Sequence, residues 1–255
     1  MPEHTSWLTL ILGYMHETLN ANAHAFGRSV IGQEEPTWRS FEPIAASLLV
    51  TLIVLFVASS AGSKLKQSDD ALVPEDKLTL RTFAEAFLSY FYDLAKGVMD
   101  AERAKKYFPL IATAAMFVFF SNILALLPGF PVATSSLSVT LGCSIVVFIC
   151  FNAYGLAANG VGYVKHLAGP AWYLAPLVFP IEVIGLCVRP VTLAVRLFLN
   201  MSVDHLILGI FLGLVAVFVP IPLMVLGVLI VLIQTLVFTL LTCIYIGLAT
   251  EHEAH

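Results

Sequence analysis

The second half of this chain is almost wholly apolar, and a few polar side chains stand out in it by their spacing. Glu182, Arg189 and Arg196 recur every seven residues, which at about 100° per residue puts them on nearly one face of a helix. Asn200 follows Arg196 by one turn on almost the same face. His205 points to the opposite side, with Asp204 roughly between. Further along, Gln234 sits inside the apolar run Leu229–Leu241, where an amide needs a partner, and Tyr245 carries a phenol. Ionisable groups at such depth cost at least about 2.5–3.5 kcal/mol each on insertion scales, which makes them functional candidates. A blander reading stays open for some of them. Glu182 and Arg189 could pair with each other or reach the interface by snorkelling, and Gln234 could simply bond a neighbouring helix.

Arg196 has a distinct chemistry. A guanidinium stays charged at any ordinary pH, so it does not carry a proton itself. In low dielectric its fixed charge attracts a carboxylate, holds it ionised, and repels protons that would otherwise run straight through. Arg196 therefore reads as a gate. Relay work falls to groups that titrate or reorient, namely Glu182, Asp204, His205, Asn200, Gln234 and Tyr245. No free acidic partner for Arg196 is evident in the sequence, which points to a carboxylate on another protein.

The elements that must hold these groups are membrane helices. Apolar residues make up 59% of the 255 and charged ones 12%, too few charges to cover a water-soluble domain of this size. Most charges precede Tyr107, and nothing in their distribution suggests nucleic acid. Met1–Thr5 lacks a basic stretch and Leu8–Leu12 is a short apolar core, so the N-terminus does not read as a signal peptide. Cys143, Cys150, Cys187 and Cys243 are scattered singly, without CxxC or metal-ligand spacing, so no metal or cofactor is expected.

The chain reads as one membrane domain over residues 1–255. Residues 1–42 form an external N-terminal segment with Trp7 and Trp38 as interface anchors. Residues 44–61 form a first span. A polar loop leads to an amphipathic helix over 77–106, with Leu80, Phe83, Phe87, Phe91 and Leu94 on one side and Arg81, Glu85, Asp93 and Lys96 on the other. It is expected on the membrane surface, with a water-soluble helix packed on a neighbouring subunit as the alternative. Residues 108–157 hold the second and third spans, joined by a turn beginning Pro128-Gly129-Phe130-Pro131. Residues 177–250 contain two long apolar stretches, Pro180–Phe218 and Ile221–Thr250.

Length sharpens that last segment. As helices the two stretches would reach about 58 Å and about 45 Å, against a bilayer core of about 30 Å. Both are therefore expected to lie strongly inclined as a hairpin, bent partly at Pro190. Eight of the thirteen Lys and Arg lie in the 63–107 connection and none in the 128–136 turn, so the former is cytoplasmic. Five membrane segments then leave the N-terminus outside and the tail inside.

Competing classes fare worse. A secondary transporter predicts an internal repeat with paired broken helices, and none is visible. An intramembrane enzyme needs a nucleophile or metal motif, and the Ser and Thr residues at 134–138 have no partner motif. A purely structural subunit leaves Glu182, Arg196, Asn200 and Gln234 unexplained.

The segment from Pro180-Ile-Glu182 through Arg189-Pro190 to Arg196-Leu-Phe-Leu-Asn200-Met201 resembles the arginine helix of subunit a of F-type ATP synthases. Lys105-Lys106-Tyr107-Phe108-Pro109, Ser121-Asn122, Leu127-Pro128-Gly129-Phe130, and Gln234 to Tyr245 followed by Ala249-Thr250-Glu251-His252 extend the resemblance. Coverage runs over residues 35–252. The resemblance implies a stator subunit beside a ring of c subunits, with peripheral-stalk b subunits, other ATP synthase subunits and the lipid bilayer as partners. It implies a bacterial inner membrane, an organellar one being the second choice, and H+ as coupling ion. Two aqueous half-channels would reach the ring carboxylate, separated by Arg196. Glu182 would line the cytoplasmic one, and Asn200, His205 and Gln234 the external one. The chain departs from the family pattern at three points. Position 205 is histidine, where many bacterial members carry glutamate. Gly227 stands where an ionisable partner is usual, leaving Asp204 as a candidate substitute. Ser136 stands where some members place an aspartate.

Overall fold

The computed structural model describes residues 8, 13–14, 17–18, 41–65, 79–126, 133–160, 162–163, 175–214 and 220–250. The Trp7 and Trp38 anchors, Lys165, the Pro128 turn and the tail lie outside these residues. Among these residues run six main helices: α1 (Glu42–Leu65), α2 (Leu80–Val98), α3 (Ala101–Ala125), α4 (Leu137–Asn159), α5 (Ala175–Leu214) and α6 (Pro220–Thr250). A 3-10 turn, Ala133–Ser135, precedes α4. All but α2 are long and apolar enough to cross a membrane. The protein is thus an all-α membrane protein with five candidate spans.

The sequence predicts one amphipathic helix over 77–106, and the structure divides it. Thr79 caps α2, its hydroxyl accepting from the backbone N–H of Thr82 at 3.4 Å. The helix stops at Val98, where Met99 turns extended, and α3 starts after Asp100. The basic residues Arg103, Lys105 and Lys106 therefore open the second span instead of closing the amphipathic helix. Arg103 bonds Asp100 at 2.6 Å and reaches the Gly247 carbonyl of α6 at 3.4 Å. A cation beside the terminal carbonyls of a helix also offsets the negative end of its dipole. α2 itself packs on α1, α3 and α6, burying Ala84, Phe91 and Ala95. Arg81 is buried with them and pairs with Glu85 at 2.7 Å.

The core lies where α3, α4, α5 and α6 meet. Ile111 and Val118 of α3, Phe151 of α4, Leu193 and Leu197 of α5, and Phe238 and Ile246 of α6 are all but sealed from solvent. A second cluster, Val50, Val54, Val57, Ala84 and Met116, fixes α1 and α2 to α3. α5 runs unbroken for 40 residues through Pro180 and Pro190, and α6 for 31, about 60 Å and about 46 Å long. Pro190 cannot donate to the Leu186 carbonyl. Just beyond it the Thr192 hydroxyl donates to Val188 and Arg189 carbonyls, absorbing part of that irregularity. On α6 the buried hydroxyls of Thr235, Thr239, Thr242 and Thr250 each donate to the carbonyl four residues earlier, so none is left unpaired in the core.

The end of α6 is held from two sides. Arg103 reaches Gly247 from α3, and Asn159, at the end of α4, donates to the Ala249 carbonyl at 3.3 Å. Close contact makes this possible at Gly155 of α4. A Cβ there would stand 2.9 Å from the Tyr163 ring and 3.0 Å from the Ala249 carbonyl oxygen. The second of these is backbone and cannot step aside. Gly155→Ala is therefore expected to destabilise the protein by about 1–3 kcal/mol. A lower thermal midpoint in detergent would register this, and an unchanged one would show that the α4–α6 contact is looser than drawn.

Candidate functional site

α5 presents two different faces. Leu186, Leu193, Ala194, Leu197 and Met201 are buried against α4 and α6. Leu177, Ile181, Ile184, Val188, Val191, Leu199, Val203, Leu206 and Ile210 are exposed along the other side. Apart from the gap between Val191 and Leu199, where half-buried Val195 stands, their three- and four-residue spacing makes an apolar stripe. α6 adds Ile221, Val225, Leu229, Leu232 and Ile233 to the exposed surface of the hairpin. Arg196 is exposed on α5 within that apolar surround. Among the described residues no carboxylate lies within ion-pair distance of its guanidinium. The charge therefore points out of the subunit.

Two polar clusters flank it along the helix. The first joins Glu182 and Arg189, whose charged groups stand 4.0 Å apart, at the limit of an ion pair. Arg189 also lies over the ring of Tyr245 on α6, its guanidinium carbon 5.3 Å from the centroid. Tyr245 in turn stands 5.9 Å from Phe151, between centroids. Arg189 is thus shared between a carboxylate and an aromatic face. Tyr163, just after α4, belongs to this neighbourhood, with its hydroxyl donating to Asn152 at 2.9 Å. Burial pushes the Tyr163 phenol above its ordinary range, while Arg189 pulls it down and Glu182 pushes it up. The sequence offers no periodic or motif signal for Tyr163, because it follows the helix-ending Gly160.

The second cluster joins Asn200 and Gln234 across the hairpin, the Asn200 amide donating to Gln234 Oε1 at 2.7 Å. Gln234 is buried, and its Nε2 has no hydrogen-bond partner among the described residues. One turn beyond Asn200, Asp204 lines a small cavity of about 60 Å³ together with Ala125 and Leu126 of α3, Met201 of α5, and Gly227 of α6. Asp204 Oδ2 is likewise buried without a partner among the described residues. Asp204 and Gly227 thus share one pocket. The place a Gly227 side chain would take is occupied by Leu126, whose Cδ2 would stand 2.5 Å from an added Cβ.

Two expected residues are not joined to either cluster. The His205 backbone lies in α5, but its side chain is outside what is described. Ser136 occupies the N-cap position of α4 without a side-chain cap bond, its carbonyl accepts from Thr140, and no hydrogen bond ties its side chain to Asn200 or Gln234. Its neighbour Thr134 does reach inward, donating to Asn122 Oδ1 of α3 at 3.1 Å. Ser121, Asn122 and Thr134 are sealed from solvent. In the sequence Ser121-Asn122 stands out only through the family resemblance, since two polar residues in an apolar helix carry no spacing that names their partner. No group of three or more metal-ligating side chains converges among the described residues.

The sequence over residues 44–247 matches the family described as ATP synthase A chain. It is 55% identical over 255 residues, the whole of both chains, to ATP synthase subunit a of Sorangium cellulosum. It is 48% identical to ATP synthase subunit a 1 of Syntrophotalea carbinolica over 69% of this chain and 74% of that one. ATP synthase subunit a of Geobacter sulfurreducens is 40% identical over 84% of this chain and 89% of its own. With a match across four-fifths of its length and full-length identity of this order, the chain belongs to the ATP synthase A chain family.

Proposed function

We propose that this chain is the ion-translocating subunit a of the membrane Fo sector of a rotary ATP synthase, with Arg196 separating two aqueous half-channels. The observation that carries this reading is the outward position of Arg196 on an apolar surface, without an acidic partner among the described residues. A charge so placed is costly unless a partner protein supplies a carboxylate. The ring of c subunits is that partner, and the exposed apolar hairpin of α5 and α6 is the surface that meets it. Peripheral-stalk b subunits and other ATP synthase subunits complete the assembly. The chain sits in a bacterial inner membrane with its N-terminus external and its C-terminus cytoplasmic. The coupling ion is H+.

Each cluster then serves one half-channel. Glu182, with Arg189 and Tyr245 beside it, receives protons on the cytoplasmic side. Asn200, Gln234, Asp204 and His205 form the inner end of the external path, and Ser136 lies toward its mouth. Asp204 takes the place of the ionisable group that Gly227 lacks, because both line the same pocket. Asn200 and Gln234 bridge the two helices where protons pass from the buried side of the hairpin to its outward face. Lengths of about 60 Å and about 46 Å favour the inclined hairpin over two upright spans.

Replacing Arg196 with Ala should abolish ATP-driven proton pumping in membrane vesicles while the complex still assembles around a small proteolipid ring. Normal pumping by an assembled Arg196→Ala complex would sink the assignment. Glu182→Gln and His205→Ala should lower flux less severely and displace its pH profile; a profile identical to wild type would remove either residue from the path. Asp204→Asn should lower flux severalfold, and adding Gly227→Glu should restore part of it, with Leu126 giving way. Failure of that second change to improve an assembled Asp204→Asn complex would break the link between Asp204 and Gly227.

A further inference from the structure

Aromatic and amide side chains crowd the place where Arg189 is held. Arg189 lies over the Tyr245 ring, and Tyr245 meets Phe151 of α4 at 5.9 Å between centroids. Asn152 is the next residue on α4. One turn after Phe151, a Cβ added at Gly155 would meet both the Tyr163 ring and Ala249, and Ala249 lies one turn beyond Tyr245 on α6. The Tyr163 ring thus sits one turn from the layer of Arg189, and its hydroxyl, bonded to Asn152 at 2.9 Å, reaches back into that layer. Tyr163 and Tyr245 pack against the same buried core, which includes Leu186, one turn before Arg189. After burial, the strongest influence on the phenol is the charge of Arg189, ahead of that of Glu182.

The hydrogen bonds fix which way the phenol points its proton. Asn152 Nδ2 donates to the Phe148 carbonyl at 2.8 Å, and a carbonyl can only accept. The amide is therefore locked, and its Oδ1 can only accept in turn, so Tyr163 must donate to it. With its proton committed, the Tyr163 oxygen meets its other neighbours as an acceptor. Resting on the reading of the chain as an ion-translocating subunit, we propose that Tyr163 is a positioning residue, offering this oxygen to the Arg189 guanidinium and drawing it away from Glu182. The Glu182–Arg189 pair at 4.0 Å is already at the limit of an ion pair, and the Tyr245 face holds Arg189 as well. A carboxylate clamped by a full positive charge holds a proton poorly. Sharing the guanidinium between Tyr163, Tyr245 and Glu182 leaves Glu182 able to take up a proton and release it. Asn152 acts at one remove, by turning the phenol. A tyrosine that merely wedged α4 against α6 would need its ring and not its hydroxyl.

The test uses the assembled complex in sealed vesicles. Tyr163→Phe keeps the ring in its contact with Gly155 and removes only the oxygen. It should lower proton flux about fivefold, the order of one neutral hydrogen bond, without loss of assembly or thermal stability. Asn152→Leu should lower flux similarly, and the two changes together no more than either alone. In an Arg189→Gln background Tyr163→Phe should have no further effect, since the group it acts through is gone. Unchanged flux in assembled Tyr163→Phe, or the same fold-loss with and without Arg189, would overturn this role of Tyr163. A second arm places a fluorinated tyrosine at position 163 of the complex in detergent. Its fluorine resonance should shift on Arg189→Gln and stay in place on Lys96→Gln, which removes an exposed cation of α2. A resonance indifferent to Arg189 would overturn the role equally, and this arm decides alone if Arg189→Gln by itself abolishes flux. The resonance is read without ion transport. Retained pumping by Arg196→Ala alongside the Arg189-dependent shift would therefore fault the parent reading alone, and a fixed resonance beside blocked pumping only the role of Tyr163.

Discussion

An arginine cannot be neutralised at any pH the protein meets, so its charge must be solvated by water, a dipole or an opposite charge. In this chain that single requirement organises the hairpin. Were Arg196 on the inner face of α5, its neighbours would be Leu193, Leu197 and Met201, and the cost would fall on the core. It faces outward instead, which leaves the core apolar and passes the requirement to whatever covers the hairpin. Arg189, by contrast, is looked after within the chain, between Glu182 and the ring of Tyr245. Two arginines on one helix are thus handled in opposite ways.

The outward placement demands a rigid platform, and the contacts supply it from behind. α3 and α4 fill the inner side of the hairpin with Ile111, Val118 and Phe151. Arg103 and Asn159 take up carbonyls at the end of α6 that no helical N–H can reach. Gly155 allows α4 to approach that end closely. The buried polar atoms without a partner among the described residues, on Ser121, Asn122, Asp204 and Gln234, lie further along α3 and the hairpin. Stiffness and polarity are therefore segregated along the same two helices.

Much of the fold was legible in the sequence because apolar run length reports directly on membrane spans. Five spans follow from it, and so do the two long final helices. The division at Met99–Asp100 was not legible, since basic residues at 103, 105 and 106 continue the alternation of the amphipathic helix before them. Helical phase sets Glu182, Arg189, Arg196 and Asn200 near one flank of a helix, because period is local. It could not pair Asn200 with Gln234, show Tyr245 beneath Arg189, or bring Gly227 to Asp204. Those contacts join residues far apart in the chain, and a single sequence carries no record of them. Tyr163 and Thr134 escaped for a related reason, as both sit in short connections where neither period nor length constrains the reading.

The bond between Asn200 and Gln234 has a directional consequence. It is one N–H···O contact between two primary amides, and each amide has both a donor and an acceptor end. Turning only one of them sets donor against donor or acceptor against acceptor. Turning both restores the bond with its polarity reversed. The pair therefore has two equivalent settings and nothing stable between them, like a compass needle with two rest positions.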